Sequence, residues 1–310
     1  MKLFIAGCES RVNRICNCAA NNPYMLLSYY HLTNGKHKMD KNFVYDYHRL
    51  KSKANFIIDS GLFTMMFGAG SDKTYSYKEL EDYTHKYIDN INRIKYKDYI
   101  VEMDVHKVLG MKELEKFRKI FIKKYDINKT IFVWHIEEEI KGWEEMCKKY
   151  PFVAISVPEL RIVLKQKYLK DFINKLIRMA LEINPNIKIH LLGCTSNDLL
   201  EQGGYYSADS TSWMSALRYG EFTIPHNKLK LNSNLIRMIA NNNEDKVTSN
   251  IKVFENKYDI INTDKNTERI NLSTTCIALF RYMAENVNKN YFNKKYPVFD
   301  EDIELLIERV

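Results

Sequence analysis

The chain has 310 residues, a formal net charge of +8, an apolar fraction of 45% and 13% aromatics. That composition excludes a disordered chain and suits a single domain spanning 1–310 with a substantial core. No stretch approaches the roughly 18 consecutive apolar residues of a membrane span and the start carries no signal-peptide pattern, so a soluble, cytoplasmic protein is expected, in the host cytoplasm if a virus encodes it.

In chain order, a first apolar run at 2–6 is expected to be a strand. A long connection over 11–53 follows, with a helix near 23–32. Further strands are expected at 55–58, 99–103, 130–134, 152–156, 188–192, 205–208 and 222–224. Between them lie helical patterns at 77–94, 111–125, 140–150, 166–184 and 197–202. Most of the runs are continuously apolar, as strands buried on both faces are. Eight strands alternating with helices predict an α/β protein, a (β/α)8 TIM barrel with insertions. The Asn- and Lys-rich stretch 226–269 reads as an insertion, and the apolar pattern at 272–287 as a closing helix.

The carboxyl ends of such strands gather the active site of a barrel. Read in order they present Gly7, Asp59, Asp104, His135, Ser156 with Glu159 just beyond, Gly193 to Thr195, and Asp209. Asp followed by Ser or Gly is also ordinary turn and cap chemistry; what favours a site is that three such aspartates would end strands of one sheet. Lys and Arg are scarce in this ring, so a substrate developing positive charge suits it better than an anion. Glycosyl transfer, with its oxocarbenium-like transition state and two carboxylates dividing the work, meets that description.

Other residues receive plainer readings. Tyr83, Tyr87, Ile91 and Ile94 are core at helical spacing. His190 is structural, and Thr195 and Ser196 cap the helix that follows. Cys16 and Cys18 are the only close pair among six cysteines and there is no CxxC, so neither a metal nor a cofactor is expected.

The segment Asp59-Ser60-Gly61-x-Phe63 resembles the aspartate-serine-glycine segment of the tRNA-guanine transglycosylases, which exchange guanine for a 7-deazaguanine within a (β/α)8 barrel. Met103-Asp104 resembles that family's base-recognising aspartate. The segment 153–159 resembles a degenerate form of its glycine-rich strand, and 192–200 is similar to the segment preceding its nucleophile. The resemblance spans roughly 56–213. The closely spaced zinc cysteines of the tRNA enzymes have no counterpart here, so the zinc-binding subdomain is expected to be lacking, replaced by 226–269. The wording around Asp209 is closer to paralogues that modify DNA.

The resemblance implies a pentosyltransferase that replaces guanine with a 7-deazaguanine in DNA, with tRNA as the alternative acceptor. Asp209 would attack C1′, Asp59 would act as general acid and base, and Asp104 would read the base. Ser60, Gly61, Phe63, His135, Ser156 and Gly193 would line the substrate, with Phe63, Tyr205, Tyr206 or Trp213 as an aromatic platform for an extruded nucleotide. A homodimer or an accessory protein is a possible further partner. Two rival readings stand beside this one. A metal-dependent barrel hydrolase would use Asp59, Asp104, His135 and Asp209 as ligands, weakened by the lack of a second His near His135 in sequence. An idle nucleic-acid-binding barrel would use the basic charge alone.

Overall fold

The computed structural model describes residues 1–20, 22–33, 38–50, 54–67, 74–194, 199, 203–214, 221–224, 229–232, 273–274 and 276–277. Eight parallel strands close into a barrel in the order β1 to β8. They are β1 (Lys2–Ala6), β2 (Tyr24–Ser28), β3 (Asn55–Asp59), β4 (Tyr99–Val101), β5 (Thr130–Trp134), β6 (Phe152–Ser156), β7 (Lys188–Leu192) and β8 (Ser207–Ser210), and β8 returns to pair with β1. The fold is an α/β (β/α)8 TIM barrel.

Among the described residues, ten α-helices flank the strands: α1 (Arg11–Ala19), α2 (Tyr29–Thr33), α3 (Lys41–Leu50), α4 (Leu62–Phe67), α5 (Tyr77–Arg93), α6 (His106–Leu109), α7 (Met111–Lys124), α8 (Glu139–Lys149), α9 (Val157–Val163) and α10 (Gln166–Ile183). The longer ones follow the expected spacing. In α10, Leu169, Phe172, Ile173, Leu176, Ile177 and Ala180 form one buried stripe. At the start of α5, Ser76 and Glu79 form a reciprocal capping box.

The count of eight is as expected, but its membership differs. The second strand is Tyr24–Ser28, inside the stretch expected to be helical, and only Tyr29–Thr33 of that stretch turns into helix. A five-residue apolar run after a proline has no period long enough to separate strand from helix; pairing with β1 and β3 decides it. The run expected as the eighth strand, 222–224, instead lies in a strand, Glu221–Ile224, that pairs antiparallel with Leu229–Asn232, which is all the structure describes of the stretch 226–269. Asp59 therefore ends the third strand, Asp104 follows the fourth, and Asp209 lies within the eighth. The helix expected at 197–202 falls outside the described residues apart from Leu199. Of 272–287, the described residues Ser273, Thr274, Cys276 and Ile277 are helical and buried.

Alternation decides which side chains fill the barrel. Phe4, Ala6, Leu26, Ile57, Val101, Ile131, Val133, Phe152 and Ala154 form one buried cluster inside it. The residue two positions further along each strand also points inward. That parity carries Ser28, Asp59, His135 and Ser156 to the mouth at the carboxyl ends, and Asp209 joins them through its register with Phe4.

At the opposite end the same parity stacks Tyr24 and Tyr99 under the cluster, and Tyr206, just before β8, packs there with them. Lys188 donates to the Tyr99 hydroxyl at 3.1 Å, and Lys2 donates to that of Tyr206. Tyr206 thus belongs to the floor of the barrel, and its expected place in a mouth platform is corrected. Tyr205 and Trp213 are buried, donating to the Leu199 and Ala6 carbonyls, and are core instead of platform.

Candidate active site

Asp59 is fixed by the residues around it. Tyr87 donates to the Ile58 carbonyl at 2.6 Å and Tyr83 to the Ser60 carbonyl at 2.7 Å, so two core tyrosines of α5 clamp the strand end. The Gly61 N–H donates to Asp59 Oδ2 at 2.9 Å. Gly61 sits at φ +77°, and a Cβ there would fall 2.4 Å from Ser28 Oγ, so only glycine allows β2 and the chain after β3 to approach this closely. Ser60 is buried, its Oγ facing the Leu62 N–H at the start of α4. Phe63 is 76% exposed on that helix, the one member of the expected platform that is largely exposed.

Burial pushes the Asp59 carboxyl up to about 7 against the pull of the Gly61 N–H, and the charges of Asp209, Asp104 and Glu9 add to the rise. Near neutral pH such a group holds and releases a proton with equal ease. Glu9, after β1, went unread in the sequence because nothing around it resembles a motif. Its Oε1 accepts the Ser28 N–H at 2.7 Å.

Asp209 is 7% exposed. Its Oδ1 accepts the Gly193 N–H at 2.8 Å and lies 3.2 Å from His190 Nε2, while Oδ2 has no partner among the described residues. Gly193 has φ +57°, and a Cβ would strike Pro158 at 2.7 Å, so this glycine serves to bring a backbone donor onto Asp209. His190 is fully buried, and its Nδ1 lies 2.8 Å from Ser207 Oγ. A carboxylate only accepts, so Nε2 carries the proton toward Asp209, and the Ser207 hydroxyl holds the other ring nitrogen. His190, expected to be structural, is a fully buried and satisfied strand histidine, and one of its two contacts is Asp209. Its strand register with Ser207 produces the contact, and no local sequence signal announces it.

The third expected carboxylate belongs to a separate group. Asp104 Oδ1 lies 2.6 Å from His106 Nδ1 and 2.9 Å from His135 Nε2. The far nitrogens of both rings meet one carboxylate: His106 Nε2 lies 3.0 Å from Glu159 Oε1, and His135 Nδ1 3.1 Å from Glu159 Oε2. The rings stack at 3.6 Å. Paired with these rings, Asp104 and Glu159 are both held well below the usual carboxylate range, and His135 rises to about 10. His106 is the second histidine near His135, distant from it in sequence; it comes from α6, two positions after Asp104.

Asp104, His106 and His135 are also of the types that hold a divalent ion. In the present geometry Oδ1 itself occupies the point on which the two ring nitrogens converge, so an ion would have to displace that oxygen. Ser156 closes β6 at the mouth, half-buried. Thr195 and Ser196 lie outside the described residues. The mouth gathers Asp59, Asp104, His135, Ser156, Gly193 and Asp209 as expected, and adds Glu9, His106, Glu159 and His190. The lysine-lined cleft of about 510 Å³ formed by Lys97, Lys123, Lys124 and Lys129 sits on loops entering β4 and β5, at the other end of the barrel.

Compared with known protein families and with curated proteins, the sequence matches no family model and no curated protein. No helix among the described residues is long and apolar enough to cross a membrane.

Proposed function

We propose that the chain is a glycosyl-transferring enzyme, a pentosyltransferase that exchanges guanine for a 7-deazaguanine base in nucleic acid, with DNA as the acceptor and tRNA as the alternative. The observation that carries this reading is the unlike pair at the mouth. Asp59 has its proton affinity raised to about 7, and Asp209 on a wall three strands away has one oxygen held by Gly193 and His190 and the other open. Two carboxylates in such different surroundings can divide nucleophile from acid and base.

In this reading Asp209 Oδ2 attacks C1′ of the target nucleotide and the bond from C1′ to N9 breaks. Asp59 gives its proton to the leaving guanine, which departs neutral and leaves a glycosyl ester on Asp209. The incoming 7-deazaguanine loses its N9 proton to Asp59 and takes the sugar, and the Asp209 carboxylate is regenerated. Asp104 accepts from the N–H edge of either base. No metal or cofactor enters these steps.

The test is incubation of the protein with DNA or tRNA carrying labelled guanine and with 7-cyano-7-deazaguanine, followed by nucleoside analysis. Loss of label from DNA, and an adduct of protein and nucleic acid that survives denaturation in wild type but not in Asp209→Asn, are expected. An adduct that persists in Asp209→Asn removes that residue from the nucleophile's role. Label lost from tRNA alone selects the alternative acceptor. Salt-sensitive binding with no exchange into either acceptor favours the idle binding barrel.

A further inference from the structure

His106, His135 and Glu159 take no part in the exchange steps, yet their side chains are tied to one another and to Asp104. Both imidazoles bridge the same two carboxylates, giving three hydrogen bonds and one ion-pair contact around a closed ring. Carboxylates accept and do not donate, so each of the three hydrogen bonds uses a ring N–H. Lys107 adds a further cation, 2.9 Å from Glu159 Oε1 and also paired with Glu137.

Exposure is uneven around the ring. The side chains of His135, His106 and Glu159 are 0%, 5% and 11% exposed, and that of Asp104 is 34% exposed. Asp104 Oδ1 accepts from His106 and lies 2.9 Å from His135 Nε2, and Oδ2 has no partner among the described residues. Beside it, buried His135 Nε2 has no acceptor in line, because its 2.9 Å approach to Oδ1 lacks hydrogen-bond geometry. An open acceptor next to an unsatisfied donor marks a place that a ligand completes.

We propose that His106, His135 and Glu159 form a positioning unit that holds Asp104 in place with one oxygen free for the base, so that recognition depends on Glu159, which itself stays clear of the ligand. This rests on the base-exchange reading. Three strands contribute: Asp104 and His106 follow β4, His135 follows β5, and Glu159 lies on α9 after β6. Glu159 ties the two ring planes together, and without it each ring loses its far partner and the freedom of Asp104 returns.

The experiment measures KM and kcat for 7-cyano-7-deazaguanine with DNA in excess. Losing a hydrogen-bonded charged partner is worth about tenfold. Glu159→Gln is therefore expected to raise KM for the base about tenfold, with kcat at saturating base near the wild-type value, and Glu159→Asp, which keeps the charge, is expected to recover part of the loss. An active enzyme whose KM is unchanged in Glu159→Gln, or whose kcat falls while KM stays fixed, overturns the inference and leaves the base-exchange reading standing.

Wild-type protein that exchanges no base defeats the exchange reading instead. The positioning unit is then judged without substrate, from the imidazole N–H signals in nitrogen-15 spectra. Signals of both rings lost together in Glu159→Gln support it. Signals that survive that change, or a divalent ion bound stoichiometrically by the purified protein and lost in His135→Phe, overturn it.

Discussion

Replacing Asp59 with Asn offers a test of the site that needs no substrate. The amide oxygen of Asn can still accept the Gly61 N–H, so the change removes the ionisable group with little loss of local bonding. Asp59 titrates near 7 in the folded chain, against a usual value of 3.8. Between those values the folded state binds more protons than the unfolded state, so stability falls as pH rises. Below about pH 4 both states are protonated and the group costs nothing; above pH 7 both are ionised and the cost is complete. A gap of about three pH units at about 1.4 kcal/mol each sets an upper limit near 4 kcal/mol.

Asp59 opens to water through the mouth, and about 2 kcal/mol is the expected value after that discount. Urea unfolding of wild type and Asp59→Asn at pH 5.5 and pH 8 measures the difference. The variant should gain on the wild type by about 1 kcal/mol more at pH 8 than at pH 5.5. Equal differences at the two pH values, or a variant that loses ground as pH rises, would refute the claim that burial raises the proton affinity of Asp59.

Two further predictions concern the frame of the site. Gly61→Ala meets Ser28 Oγ at 2.4 Å and Tyr30 Cβ at 2.6 Å, whereas Gly110→Ala, at a similar φ of +88°, meets nothing within 4 Å. Denaturant midpoints should therefore show Gly61→Ala costing about 1–3 kcal/mol beyond the backbone strain common to both; equal costs would mean that β2 yields freely. Arg118 is 1% exposed and pairs with fully buried Glu102, Glu138 and half-exposed Glu115. Arg118→Met leaves Glu102 with the Val133 N–H but no cation, at an expected cost of about 3–5 kcal/mol, and a loss under about 1 kcal/mol in urea unfolding would contradict that role.

What was legible in the sequence was whatever a local pattern records. Continuous apolar runs gave seven of the eight barrel strands, because a strand buried on both faces needs no partner to declare it. The stripe of α10 gave that helix, and the strand-end carboxylates Asp59 and Asp209 gave the centre of the mouth. The strand Tyr24–Ser28 was missed because a short apolar run fits a buried helix equally well, and the tyrosines 205 and 206 were misplaced because adjacent residues of a strand entry face different sides.

Other features exist only once the barrel closes. His190 meets Asp209 through the pairing of β7 with β8, and Glu9 meets Ser28 through that of β1 with β2. His106, His135 and Glu159 come together from three successive strand ends, across 53 residues of chain. Burial, which raises the proton affinity of Asp59, is likewise a property of everything packed around it and of no sequence window. The sequence by itself determined which residues carry carboxylate and imidazole chemistry and roughly which strands would end on them. The tertiary structure decided which of them share a proton, which share a partner, and which oxygen of Asp104 and of Asp209 is left open, because those depend on distances between segments that only strand pairing brings together.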